Sequence, residues 1–365
     1  MSATSQKNIA FFISPHGFGH AAREAAIIEA LHELDGALRF EIFTLVSSFF
    51  FEQSLMSSFN YHSLLTDIGL VQTSPLKADL NATVHKLESF LAFNENEIER
   101  LAKHLKDSSC KLVIADISPL GIRAAEKAGL PSVLIENFLW DWIYQGYLEE
   151  EPRLDQFITR MKEIFNSVDY HIQTEPVCSL RETAALVSEP VSRKPHKTRS
   201  AMRQELGIDD EAKIVMITMG GVRPEHRFMD QLANHSEITF IIPGVSERYE
   251  RSDNLILIPH FSNFFHPDLV QACDAVVAKL GYSTLSEIFH AGLPFGYVKR
   301  PSFRESEKLA EYIERYIHGI GFDEEEFESG AWLVHIDKLL SLPRVKRESE
   351  NGAEQIARFL LNLIS

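Results

Sequence analysis

Short runs that are apolar throughout alternate along this chain with longer stretches whose apolar positions recur every three or four residues. In the first half Lys7–Ser14 (KNIAFFIS), Phe40–Val46, Lys111–Asp116 (KLVIAD) and Ser132–Glu136 read as strands. Ala21–Leu34 and Gly121–Ala128 carry helical spacing. The pattern breaks between Cys178 and Ser200, where SEPVSRKPHKTRS is polar, basic and proline-containing. It then restarts with strands at Lys213–Met219, Ile238–Pro243, Leu255–Ile258, Asp274–Ala278 and Phe295–Val298, and a helix at Ser283–Ala291. A strand–helix–strand rhythm on both sides of a break predicts an α/β protein of two Rossmann-like, doubly wound domains facing across a cleft. The expected division is 1–178, a linker at 179–200, 201–348, and a C-terminal segment 349–365. In that last segment the amphipathic Gly352–Ile364 packs back on either domain. The turn AGLP occurs at Ala128–Pro131 and again at Ala291–Pro294. Its glycine suits a left-handed helix cap and its proline the start of a buried strand.

Composition narrows the classes. A chain of 365 residues, 45% of them apolar, is globular and too long for one ordinary core. No apolar run approaches the ~20 residues of a membrane span. The first residues lack the pattern of a signal peptide. Three scattered cysteines (Cys110, Cys178, Cys273) give neither metal spacing nor a disulfide framework, which predicts a cytoplasmic protein. A net charge of −16 argues against a nucleic-acid partner but leaves room for a nucleotide, whose diphosphate is held by a few local N–H groups. His260 and His266 are isolated and Glu324–Glu326 reads as a solvated acidic loop, so no metal and no cofactor are expected.

Four stretches carry candidate chemistry. Ser14–His20 (SPHGFGH) follows the first strand and opens the first helix, with His16, Gly17 and Gly19 on the acceptor side. His20, at the positive end of the helix dipole, is a candidate general base; the alternative is a glycine turn with structural histidines. Gly17-x-Gly19-x-x-Ala22 also matches a dinucleotide fingerprint, but the second strand ends Thr44–Ser47 without the acidic residue that NAD requires. Gly220, Gly221 and Arg223 end the first strand of the second half, where exposed amides suit a diphosphate.

Lys279–Glu287 (KLGYSTLSE) follows a strand and begins a helix. Lys279, Gly281, Tyr282, Ser283 and Thr284 are candidates for a diphosphate and Glu287 for both ribose hydroxyls. The plainer reading is a capping box, with Ser283 or Thr284 as cap and Glu287 in the first turn. Asp116 and the segment Asn137–Trp142, with Asn137, Trp140 and Asp141, stand at strand ends. There they suit a sugar acceptor or, alternatively, a buried aromatic cluster with capping carboxylates.

Gly281–Pro294 (GYSTLSEIFHAGLP) resembles the donor-binding segment of the peptidoglycan N-acetylglucosaminyltransferase and its GT-B relatives. HGFGHAAR (His16–Arg23), the loop at Asp116, NFLWDWIY (Asn137–Tyr144) and KLGYSTLSE together resemble the N-terminal GT-B region of plant L-arabinokinases and its free-standing bacterial relatives, without the kinase half. The resemblance implies an acceptor in the first domain and a nucleotide-sugar, such as a UDP-sugar, in the second. It also implies a base contact near His260 and Phe261. Ser302–Glu307 lacks the Asp-Gln pair with which many GT-B donor sites hold the sugar, so the sugar is left open. The expected activity is a metal-independent, inverting transfer of sugar to a hydroxyl, with His20 or Asp116 as base. The alternatives are a nucleotide-sugar epimerase or hydrolase of the same fold, or a non-catalytic binding module.

Overall fold

The computed structural model describes residues 7–74, 77–219 and 228–364. The chain divides into two compact units, 1–192 with 350–365, and 193–349.

The first unit is built on a seven-stranded parallel sheet. Its strands are β1 (Asn8–Ile13), β2 (Arg39–Thr44), β3 (Phe59–Ser63), β6 (Cys110–Asp116), β7 (Ser132–Glu136), β8 (Tyr170–Thr174) and β9 (Leu186–Ser188), in the order β3-β2-β1-β6-β7-β8-β9. A small ribbon, β4 (Gln72–Ser74) with β5 (Lys77–Ala78), stands apart. The helices are α1 (Phe18–Leu34), α2 (Ser48–Ser54), α3 (Leu80–Leu91), α4 (Glu95–Asp107), α5 (Pro119–Ala128), α6 (Trp140–Gln145), α7 (Asp155–Asn166) and α14 (Gly352–Ile364). The central strands are apolar throughout because helices cover both faces. Phe40 and Ile42 of β2 pack under α1 and α14, while Phe43 packs on the other face against α4 and α5. The C-terminal helix thus rests on the first unit, burying Ala353, Ile356, Ala357 and Leu360 against α1.

The second unit repeats the plan. Strands β10 (Lys213–Thr218), β11 (Ile238–Ser246), β12 (Glu250–Ser252), β13 (Leu255–Pro259), β14 (Ala275–Lys279), β15 (Phe295–Val298) and β16 (Gly319–Phe322) lie in the order β12-β13-β11-β10-β14-β15-β16. All pair in parallel except β12 with β13. The helices are α8 (Arg199–Glu205), α9 (His266–Ala272), α10 (Tyr282–Ala291), α11 (Glu305–Tyr316), α12 (Glu324–Ser329) and α13 (Ile336–Ser341).

Two features differ from the sequence expectation. The stretch 179–200 is not a structureless linker: β9 adds an edge strand to the first sheet and α8 begins at Arg199, so the division falls between Ser192 and Arg193. Its proline and basic residues mimic loop composition, yet Leu186–Ser188 pairs with β8. Strands β3, β8 and β16 also escape the apolar pattern, because FNYHS and YHIQT carry polar side chains and GIGF is half glycine.

Both AGLP turns have the expected geometry. Gly129 and Gly292 cap their helices at φ 65° and 67°, and the following Leu130 and Leu293 amides bond back to Ala125 and Ile288. A Cβ on Gly292 would stand 2.1 Å from the Val345 carbonyl oxygen. Gly292→Ala combines that clash with a left-handed backbone and should cost on the order of 2 kcal/mol or more in urea unfolding. Gly129→Ala, which meets nothing within 4 Å, should cost only about 1 kcal/mol.

Candidate functional site

In the first sheet the chain winds outward from β1 through β2 and β3 on one side, and through β6, β7 and β8 on the other. The carboxyl ends of β1 and β6 therefore flank the point where strand order reverses, the usual ligand position in such sheets. Gly17, exposed at φ 80°, lets the chain turn from β1 into α1 without a side-chain cap. His20 and Arg23 lie three residues apart on that helix and share a face.

Both reach Asp116, the last residue of β6. His20 Nδ1 stands 2.6 Å from Asp116 Oδ1. Arg23 donates from Nη2 to Oδ1 (2.7 Å) and from Nε to Oδ2 (3.1 Å), and from Nη1 to Asn137 Oδ1 (2.9 Å). Asp116 is fully buried. Burial alone would raise its carboxyl, but the Arg23 guanidinium and His20 hold it well below the usual carboxylate range. An ionised carboxylate only accepts, so Nδ1 of His20 carries the proton. That leaves Nε2 as the ring's basic atom, with no hydrogen bond among the described residues. Glu24, also fully buried, is driven well above the ordinary range by burial and by the charge of Asp116, so it is the protonated acid of the group. Directly after Asp116, the β-branched Ile117 adopts φ 44°, a strained conformation of the kind that collects at functional turns.

Further hydrogen bonds tie the neighbouring loops together. Asp67 Oδ2 accepts from Ser14 Oγ (2.8 Å) and Trp140 Nε1 (2.5 Å). Thr66 Oγ1 donates to the Ile13 carbonyl (2.6 Å), and Ser118 Oγ to the Thr66 carbonyl (2.9 Å). These bonds fasten the segment after β3 to the ends of β1 and β6. Gly69, at φ 61°, passes so close that a Cβ would lie 2.7 Å from His16 Nδ1 and 2.8 Å from Trp140 Cζ2. Asp67 Oδ1 is buried without a partner, and burial pushes this carboxyl up to about 6.

The acceptor-side residues read from sequence divide accordingly. Gly17 and Gly19 line the turn, and His16 is half-buried, edge-on to Trp140 at 4.8 Å. Trp140 is fully buried with its N–H spent on Asp67, so it presents no face to a sugar; the buried aromatic cluster is what forms, with Phe138 and Tyr144. Asn137 and Asp141 are also buried. Asn137 holds Arg23, and Asp141 lies 4.0 Å from Arg181 with burial raising its carboxyl. All three are buried and engaged with protein partners.

In the second unit strand order reverses between β10 and β14. Gly220, Gly221 and Arg223 follow β10 and lie outside the described residues. Lys279 ends β14, where burial and then the charge of Arg300 lower its ammonium to about 8. Arg300 itself pairs with Glu305 at 3.3 Å. The helix α10 begins at Tyr282, with Gly281 as cap and no side-chain cap bond. A Cβ on Gly281 would meet nothing within 4 Å among the described residues, and the first amides of the helix have no side-chain cap. The capping-box reading therefore fails: neither Ser283 nor Thr284, both half-buried, is the cap, and Glu287 sits in the second turn.

Glu287 is buried. Its Oε1 accepts from Arg193 Nη2 (2.9 Å) and Nε (3.2 Å), and its Oε2 faces His266 Nδ1 at 2.7 Å. Burial opposes ionisation, but Arg193 and His266 together lower this carboxyl below its ordinary value. His260 is half-buried and Phe261 is 66% exposed beside it.

Sequence reasoning passed over Arg23, Asp67, Arg193, His266 and Arg300 as site residues. Arg23 had a signal, its position three residues after His20. Asp67 and Arg193 had none, lying in a loop and in the stretch read as linker. Among the described residues, the side chains with metal-ligand geometry are Glu41, His62 and His104. They lie on the α4 face of the first sheet, away from α1.

Two Rossmann-like units, each with its candidate residues at the carboxyl edge of a parallel sheet, have the architecture of a glycosyltransferase of the GT-B fold. The chain belongs to Glycosyl transferase family 1, whose sequence profile matches residues 7–338. It is 27% identical over 365 residues, 99% of its length, to L-arabinokinase of Arabidopsis thaliana, and spans 35% of that protein. It is 24% identical over 239 residues to the UDP-N-acetylglucosamine–N-acetylmuramyl-(pentapeptide) pyrophosphoryl-undecaprenol N-acetylglucosamine transferase of Bacillus pumilus, covering 60% of this chain and 61% of that one. Among solved structures, Arabidopsis thaliana UGT89C1 complexed with UDP superimposes with a TM-score of 0.63 at 13% identity, covering 98% of this chain and all of that one. No helix among the described residues is long and apolar enough to cross a membrane.

Asp67 gives a pH test of the site's floor. Its folded value, about 6, lies above the ~3.9 of an unfolded aspartate. Its contribution to stability is therefore complete below about pH 4 and is lost as pH rises towards 6. Asp67→Asn keeps a carbonyl for Ser14 and Trp140 but cannot ionise. Its stability relative to the parent should climb by on the order of 3 kcal/mol between pH 4 and 6, then level off, in denaturant titrations across that range.

Proposed function

We propose that the chain moves a sugar from a nucleoside-diphosphate sugar to a hydroxyl acceptor, with inversion at the anomeric carbon and without a metal. The observation that carries this reading is the buried contact of Asp116 with His20. His20 Nε2 takes the proton of the acceptor hydroxyl as its oxygen attacks the anomeric carbon and the bond to the diphosphate breaks. Asp116 stabilises the imidazolium that forms, as the carboxylate does in other oriented-histidine sites. Fully buried, Asp116 acts through His20 rather than as a base in its own right.

The donor belongs to the second unit. The uncapped start of α10 and the positive charges of Lys279 and Arg300 suit a diphosphate. They offset the negative charge that grows on the leaving group. An anion beside Lys279 would also offset the burial and the Arg300 charge that lower its ammonium. The UDP bound to UGT89C1 supports a uridine nucleotide. Glu287 is the ribose ligand of this reading. Because its oxygens are already engaged, ribose binding requires it to exchange at least one contact with Arg193 or His266. His260 and Phe261 sit at the carboxyl end of β13, the expected place for the base.

The test uses two variants and two readouts. UDP affinity is measured by calorimetry, and UDP release from UDP-sugars is measured over a panel of hydroxyl acceptors. His20→Ala should leave UDP affinity within about twofold while lowering turnover by roughly 10²–10⁴. Glu287→Ala should weaken UDP by tenfold or more, on the order of the ~1.4 kcal/mol of one lost charge-assisted contact. Variants indistinguishable from the parent in both assays would refute the assignment. Release of free sugar at the same rate with and without every acceptor would favour a hydrolase.

A further inference from the structure

Glu41 on β2, His62 on β3 and His104 on α4 bring one carboxylate and two imidazoles together in the first unit. Their ligand atoms all lie within 4.8 Å of one another. His62 Nε2 is 2.6 Å and His104 Nε2 3.2 Å from the same oxygen, Glu41 Oε2. From this convergence we propose that the three side chains form a binding site for a zinc-class divalent cation, separate from the His20–Asp116 pair.

The donor set is that of a three-protein-ligand zinc site, two histidines and a carboxylate. With metal–ligand bonds of ~2.0–2.1 Å, tetrahedral ligand atoms stand roughly 3.3 Å apart; His104 is already at that distance from Glu41 Oε2, and His62 must withdraw from it to admit the ion. Supporting contacts are in place. Asn60 Nδ2 donates to Glu41 Oε1 at 2.7 Å, which fixes the carboxylate and leaves Oε2 to the shared point. Phe43 stacks on the His62 ring at 4.4 Å and meets His104 edge-on at 5.8 Å, holding both imidazoles in orientation.

Glu41 is buried, whereas the side chains of His62 and His104 are 30% and 38% exposed. Solvent can therefore deliver the ion and supply a water as fourth ligand. Ser108 Oγ, 3.2 Å from His104 Nε2, can hydrogen-bond such a water. The bound ion would add a tie from the paired strands β2 and β3 to α4, through His104. That role is structural. It leaves the transfer chemistry proposed above without a metal, because the cluster lies on the face that α4 covers while His20 lies on α1.

The test uses the full chain, freed of metal with EDTA and titrated with Zn²⁺ by calorimetry. One Zn²⁺ per chain should bind and raise the melting temperature. His62→Gln and His104→Gln should each weaken binding by roughly 100-fold or more. Asn60→Ala, which removes only the supporting contact, should weaken it about tenfold. Absence of stoichiometric binding, or unchanged affinity in His62→Gln/His104→Gln, would overturn the proposal. Should either variant fail to fold, Co²⁺ added to the parent chain decides. The intense visible bands of a four-coordinate ion support the site, and the pale spectrum of the six-coordinate aquo ion overturns it. UDP affinity and turnover of the parent, measured with and without Zn²⁺, keep this result apart from the transferase reading.

Discussion

The buried pairing of Arg23 with Asp116 is the contact on which the arrangement of the first unit's candidate site depends. A carboxylate with no exposure is stable only if its charge is met, and one guanidinium meets it through both oxygens. That pairing fixes the ionisation of Asp116, which in turn fixes the tautomer and orientation of His20. Asn137 holds the other side of the guanidinium, and burial, then the charge of Asp116, raises the carboxyl of Glu24 well above its ordinary value. Five side chains from α1, β6 and the end of β7 thus form one electrostatic unit, in which His20 Nε2 has no hydrogen bond among the described residues.

The fold supplies the places where such a unit can stand. In each sheet the order of strands reverses between two central neighbours, and loops leaving their carboxyl ends diverge there. In the first sheet that opening is floored by Asp67, Ser14 and Trp140. In the second it is edged by the uncapped α10, Lys279 and Arg300. The two units solve different problems on the same plan. One orients an imidazole, and the other gathers positive charge beside a helix start without a side-chain cap.

The sequence was most legible where burial is complete. Strands such as KLVIAD and DAVVA stand out because both faces are covered, and the two AGLP turns because glycine and proline have few other uses there. Edge strands were hidden, since a strand covered on fewer sides keeps polar residues, as FNYHS does. His20 and Asp116 were each visible as candidates, but their union spans 96 positions and no local pattern encodes it. Trp140 shows the converse. An aromatic after a strand suits a sugar platform and a core equally well, and only the position of Asp67 decides for the core. Glu287 was recognised by its motif, while its partners Arg193 and His266 come from segments that looked like linker and isolated surface.

The account turns on which nitrogen of His20 bears the proton. Long-range ¹⁵N–¹H correlation spectra of the chain labelled at histidine, with His20 assigned through a His20→Ala spectrum, read the tautomer directly. An Nδ1–H ring with unprotonated Nε2 is the result that the Arg23–Asp116 pairing requires. A neutral His20 protonated at Nε2 would contradict it, because Asp116 would then have no proton to accept and the ring no base to offer.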